Sequence, residues 1–224
     1  TGAILYSKNY DQVLPLASIT KLMTALVFLD TKISFDAMVT YTSSDEASGS
    51  RLSISPGEQL KVKDLWYTML VGSANNASNA LARASGLSRE VFIQKMNAKA
   101  KELGLSKTTF VDVTGLDTAN TSTVYDIARL AKHAFHQWDI LQGTTTWSYG
   151  FITSAGNPHT IKNTAKGMLG NPLVITGMKT GYLDEAGYCF VTKASKERGA
   201  PEVIAVVLGA ATDAQRWSET NALL

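Results

Sequence analysis

The stretch Pro172-Leu-Val-Ile-Thr-Gly-Met-Lys-Thr-Gly-Tyr-Leu-Asp-Glu-Ala-Gly-Tyr-Cys-Phe-Val-Thr192 decides the architecture. Pro172 to Met178 and Gly187 to Thr192 are apolar or β-branched runs of strand length, joined by the turn-like link Leu183-Asp-Glu-Ala-Gly187. A third run, Val203 to Leu208, follows Lys196-Glu-Arg-Gly-Ala-Pro201. Links this short cannot carry a crossover, so the three strands are expected as antiparallel hairpins. Lys179-Thr-Gly181 is expected where the first of them ends.

Upstream the pattern changes. Thr1 to Ser7 reads as a short opening strand, and Pro15 precedes a helix with Ile19, Leu22, Met23, Leu26 and Leu29 at helical spacing. From about Asp36 to Phe135 helices dominate. One carries Val62, Leu65, Trp66, Met69 and Leu70 and stops at Gly72. Asn76 to Ala84 is another, Val91 to Leu103 is closed by Gly104, and a further helix follows Ser122. The ends supply strands and the middle supplies helices. The expected fold is therefore α+β in two lobes: an antiparallel sheet flanked by helices, with a helical subdomain inserted. We read residues 1–224 as one folding unit. Residues 1–35 and 140–224 form its sheet lobe, about 36–139 its helical lobe, and a cleft between them is the natural place for a site.

Composition narrows the class. The chain has 224 residues, 45% hydrophobic and 18% charged, which is ample for a core and excludes disorder. With 21 Lys and Arg against 19 Asp and Glu, the net charge of +2 gives no electrostatic footprint for nucleic acid. The longest apolar run, Val203 to Ala211, is about half a bilayer-spanning helix, so a soluble chain is expected. Cys189 stands alone in an apolar run and reads as a buried small hydrophobe; it can form no internal disulfide and leaves the compartment open. No signal peptide and no initiator Met are seen.

The familiar hydrolase and metal motifs are missing: there is no Gly-x-Ser-x-Gly, His-Glu-x-x-His or Cys-x-x-Cys. His133, His136 and His159 have no triad context, and no metal or cofactor is expected. What stands out is lysine chemistry. Ser18-Ile-Thr-Lys21 is the only Ser-x-x-Lys in the chain, and it opens a helix. Residues i and i+3 share a face, so Lys21 can reach the Ser18 hydroxyl and act as its base once unprotonated. That demands a fall of about 3 pKa units, roughly 4 kcal/mol, which burial and a neighbouring cation can supply. Alone, the pattern is equally a helix start with a surface lysine. Ser73-Ala-Asn75, in the turn after Gly72, and Lys179-Thr-Gly181 change that. Ser-x-x-Lys, Ser-x-Asn and Lys-Thr-Gly, in this order and on these elements, form a specific set.

On these residues the chain resembles the low-molecular-mass penicillin-binding serine DD-peptidases, the D-alanyl-D-alanine carboxypeptidases and their endopeptidase relatives. The likeness extends through Pro15 to Leu26, Met96 to Gly104, Thr114 to Asp117, Ser122 to Asp126, and Gly177 to Tyr188. The resemblance implies a β-lactamase/transpeptidase-like fold, family members that extend past both ends of this chain, and an extracytoplasmic location. It implies that Ser18 attacks the carbonyl between two D-alanines with Lys21 as base, and that Ser73 relays a proton to the leaving amine. Asn75, Lys179, Thr180 and Gly181 would hold the substrate, and Lys179 would be the cation that depresses Lys21. Backbone N–H groups of Ser18 and Tyr182 would form the oxyanion hole, and Arg216 would engage the terminal carboxylate. The implied partners are the peptidoglycan stem peptide and β-lactam antibiotics as covalent inhibitors. Any membrane association would come from segments outside this chain.

Three other readings stay open. An endopeptidase on crosslinked peptide differs only in cleft shape; Arg216 favours a free carboxylate and hence a carboxypeptidase. A class A β-lactamase resembles its kin in a Glu-x-x-Leu-Asn loop, and no Glu of this chain fits that pattern. A non-catalytic cell-wall-binding module would have little physical reason to keep Ser18, Lys21, Ser73 and Lys179 together.

Overall fold

The computed structural model describes residues 2–224. The chain runs through β1 (Leu14–Pro15), a 3-10 turn at Ala17–Thr20 and α1 (Lys21–Asp30), then β2 (Met38–Thr40) and β3 (Gln59–Lys61). The helices α2 (Val62–Val71), α3 (Asn75–Ala84) and α4 (Arg89–Glu102) follow, then β4 (Thr121–Ser122), α5 (Val124–Ala134) and α6 (Trp138–Thr145). A hairpin of β5 (Ser148–Ile152) and β6 (Pro158–Lys162) leads to β7 (Val174–Leu183), β8 (Gly187–Ser195), β9 (Glu202–Ala210) and α7 (Asp213–Leu223). The fold is α+β.

Local chemistry explains the helix limits. Ser88, Thr123 and Thr212 each accept a hydrogen bond from a first-turn N–H (Val91, Asp126 and Gln215) and so cap α4, α5 and α7. Gly104, at φ 68°, lets the chain leave α4 through a left-handed turn. Helix α1 is buried on every side, Lys21 through Phe28 without exception, and only Lys21 and Thr24 of these are polar. It forms the axis of the core, packed by α3, α4 and α5. Each fully buried Leu, Met or Phe there contributes about 1.5–3 kcal/mol. Helix α5 is two-faced: Ile127, Leu130, Ala131 and Ala134 are buried.

The three late strands form one antiparallel sheet in the order β7-β8-β9, as the sequence leads one to expect. Period-two alternation sorts its faces. Cys189 and Val191 join the main core, whereas Phe190 joins Met178, Met168 and Trp217 beneath α7.

Four expectations need correction. Described residues 2–13 contain no strand, and Ile4, Leu5 and Tyr6 are exposed; Thr1 lies outside the described residues. A strand needs an edge to satisfy its N–H and C=O groups, and here only Leu14–Pro15 finds one, on Thr121–Ser122. Second, Lys179-Thr-Gly181 lies inside β7, not at its end, because β7 runs on to Leu183 in register with β8. Third, helix continues to Thr145. Fourth, the hairpin of β5 and β6 is an addition to the three expected late strands; Tyr149 stacks on Tyr67 with ring centroids 4.3 Å apart and holds it against α2.

Candidate active site

Ser18 sits in the 3-10 turn that feeds α1, half-buried, one residue before the helix axis becomes fully enclosed. The turn is tightly gripped. Ala17 adopts φ 46°, a left-handed conformation that a residue with a Cβ rarely takes. Two glycines press on it from opposite elements. A Cβ on Gly181 would lie 3.2 Å from the Ser18 amide nitrogen, and one on Gly115 would lie 1.9 Å from the Ala17 carbonyl oxygen. The Gly115 contact excludes any side chain, and the Gly181 contact is tight enough that a Cβ would push on the turn.

Lys21, fully buried, places Nζ 2.8 Å from Ser18 Oγ, 2.7 Å from Asn75 Oδ1 and 2.6 Å from the Thr114 carbonyl oxygen. The last two can only accept; Asn75 is oriented by its Nδ2, which donates to Ser48 O at 2.7 Å. A neutral amine has two hydrogens for those acceptors, and its lone pair is then left facing Ser18 Oγ. Burial drives the Lys21 pKa down to about 7, against the pull of the Asp112 carboxylate, which raises it.

Lys179 is the second buried lysine. Its Nζ donates to Ser73 Oγ at 2.8 Å and to the Thr180 carbonyl at 2.9 Å. Its pKa lies well below the usual lysine value, first through burial and then through repulsion by Lys21 and Arg216. Burial is the leading cause of both shifts, and because repulsion between two cations is mutual, each lysine also disfavours the charge on the other. Ser73, at φ 60°, is a second left-handed residue, held between α2 and α3. Thr180 Oγ1 lies 2.6 Å from Thr164 Oγ1.

Ser18, Lys21, Ser73, Asn75, Lys179, Thr180 and Gly181 thus converge from the first helix, the α2–α3 turn and β7. The Tyr182 side chain points outward, 49% exposed, and its hydroxyl donates to Asp184. Arg216 is buried behind β7. His159 stacks on Phe151 in the β5–β6 hairpin, and no described group of three or more His, Cys, Asp or Glu is arranged to hold a metal ion.

The family model described as peptidase S11, D-alanyl-D-alanine carboxypeptidase, matches residues 1–212. The chain belongs to this family. Over its whole length it is 37% identical to the D-alanyl-D-alanine carboxypeptidase DacF of Bacillus subtilis, of which it spans 58%. It is 35% identical to a D-alanyl-D-alanine endopeptidase of Pseudomonas aeruginosa, covering 99% of this chain and 74% of the relative. The fold matches the Streptomyces K15 DD-transpeptidase with a TM-score of 0.87 at 32% identity, over 97% of this chain and 88% of that one.

This D-alanyl-D-alanine carboxypeptidase family member also carries site residues that sequence reasoning missed. Asp112 accepts from the amides of Thr114, Gly115 and Asp117, from Thr114 Oγ1 and from Asn120 Nδ2, and so moulds the loop that offers Thr114 O to Lys21. Thr164 was missed as well. The only available signal for the loop was Thr114-Gly-Leu-Asp117, whose glycine adopts φ 87°.

Proposed function

We propose that the chain is a serine DD-peptidase that cleaves the D-Ala-D-Ala end of peptidoglycan stem peptides through a Ser18 acyl-enzyme. The observation that carries this reading is the buried Lys21 amine, 2.8 Å from Ser18 Oγ with a pKa of about 7. At neutral pH such a group takes the Ser18 proton as Oγ attacks the carbonyl between the two alanines. The oxyanion is held by the N–H groups of Ser18 and Tyr182, where one such donor is typically worth ~2.7–4 kcal/mol. Ser73, hydrogen-bonded to Lys179, passes a proton to the departing D-alanine amine. Asn75 and Thr180 hold the peptide, and water then releases the acyl group. Acting on cell-wall peptide places the work outside the cytoplasmic membrane; no described helix is long and apolar enough to span one.

β-Lactams enter the same reaction and stop in it: their leaving nitrogen stays tethered to the acyl group where departing D-alanine would make room for water, and no Glu-x-x-Leu-Asn loop aims a water around it. Intact-mass measurement after benzylpenicillin treatment tests the reading. One stable adduct on the parent and none on Ser18→Ala is expected; rapid release of hydrolysed penicillin, or an adduct that survives the substitution, overturns it. Similarity to an endopeptidase over 99% of the chain favours a second reading on crosslinked peptide. Release of D-alanine from pentapeptide against cleavage of a crosslinked dimer separates the two.

A further inference from the structure

Contact with a peptide carboxylate asks for a guanidinium that faces the cleft, and Arg216 does not offer one. It is 6% exposed and sandwiched between rings, 5.3 Å over Tyr188 and 4.3 Å over Trp217. Nη2 is taken by Asp213, one turn away on α7. Nη1 donates to two carbonyls, Gly181 O and Cys189 O, each at 3.3 Å, and the buried Nε has no partner among the described residues.

The Gly181 carbonyl is one half of a peptide unit whose other half is the Tyr182 N–H. That unit is planar and trans, so its C=O and N–H point in opposite directions. Among the described residues β7 is an edge strand paired only with β8, and Gly181 stands opposite Cys189. The carbonyl turned to β8 and Arg216 therefore leaves the Tyr182 N–H on the open edge, beside Ser18. A cation on the carbonyl also polarises the amide and strengthens its N–H as a donor.

We propose that Arg216 is a positioning residue for the oxyanion hole, gripping the Gly181 carbonyl so that the Tyr182 N–H is fixed and sharpened toward the carbonyl that Ser18 attacks. This rests on the acyl-transfer reading above. It reassigns Arg216 from the substrate's carboxylate to the far end of the enzyme's own peptide bond. Asp213 anchors the guanidinium in turn, and the two rings hold its plane.

Two probes separate the roles. Benzylpenicillin carries a carboxylate. An acylaminomethylboronic acid carries none: Ser18 Oγ forms a fourth bond to boron, its proton passes to Lys21, and a boron oxygen occupies the oxyanion hole. For Arg216→Lys, with unchanged circular dichroism, both the penicillin acylation rate and boronate affinity are expected to fall about tenfold, since the donor is weakened but not removed. The penicillin loss should lie in the acylation step and not in the encounter constant. Asp213→Asn should give a smaller parallel loss. It also decides the matter if Arg216→Lys fails to fold, because freeing a carboxylate-binding arginine would leave penicillin acylation unchanged or faster. Boronate affinity that holds while penicillin acylation drops overturns the proposal alone. A parent chain inert to both probes overturns the acyl-transfer reading and this inference together.

Discussion

In the proposed mechanism Lys21 works as a neutral amine, and its surroundings reject a charge more strongly than Asp112 invites one. With its pKa at about 7, acylation by benzylpenicillin should rise close to tenfold per pH unit below neutrality and level off above it. Stopped-flow rates from about pH 5 to about pH 9 check this, and a flat profile would remove Lys21 as the base. Lys21→Arg should abolish acylation at every pH, since a guanidinium cannot shed its proton. The same shift bears on stability. The unfolded chain keeps the Lys21 proton up to 10.5 whereas the folded chain releases it at about 7, so stability rises with pH between those values. Below pH 7 the full cost is present, roughly 5 kcal/mol for a shift of this size.

Between residue and molecule stand the turns that hold these groups. Ser-x-x-Lys, Ser-x-Asn and Lys-Thr-Gly were legible because their side chains are chemically distinctive. The Asp112–Asn120 loop was not, because it acts on Lys21 through the Thr114 carbonyl, and every residue has a carbonyl. Its demand on sequence shows only at Gly115. Gly115→Ala must combine φ 87° with a Cβ 1.9 Å from Ala17 O, and should cost at least about 3 kcal/mol by urea unfolding together with the loss of penicillin labelling. Gly156→Ala shares a positive φ of 81° but meets nothing within 4 Å, and should cost about 1 kcal/mol. Equal losses would show that the Gly115 contact is unimportant. β7 outruns its expected C-terminal end because the apolar run stops at Met178, before Lys179 and Gly181, whereas pairing with Cys189 and Phe190 extends the strand.

Across the whole molecule, sheet and helices share one core: Cys189 and Val191 of β8 lie in the same buried cluster as α1, α2 and α5. Unfolding followed by near- and far-ultraviolet circular dichroism should therefore give coincident single transitions; two separated ones would mean that strands and helices fold independently. The alternation of the late strands and the amphipathic α5 made that architecture readable in advance, whereas the opening segment misled because strand propensity says nothing of a missing partner edge. The chain also divides its amines into two populations. Lys8, Lys32, Lys63, Lys95 and Lys196 are exposed, while Lys21, Lys179 and Lys193 are buried. Amine-selective dyes or resins should meet the first population, so the protein can be tethered or made fluorescent through its lysines while Lys21 and Lys179, the two proposed to handle protons, go untouched.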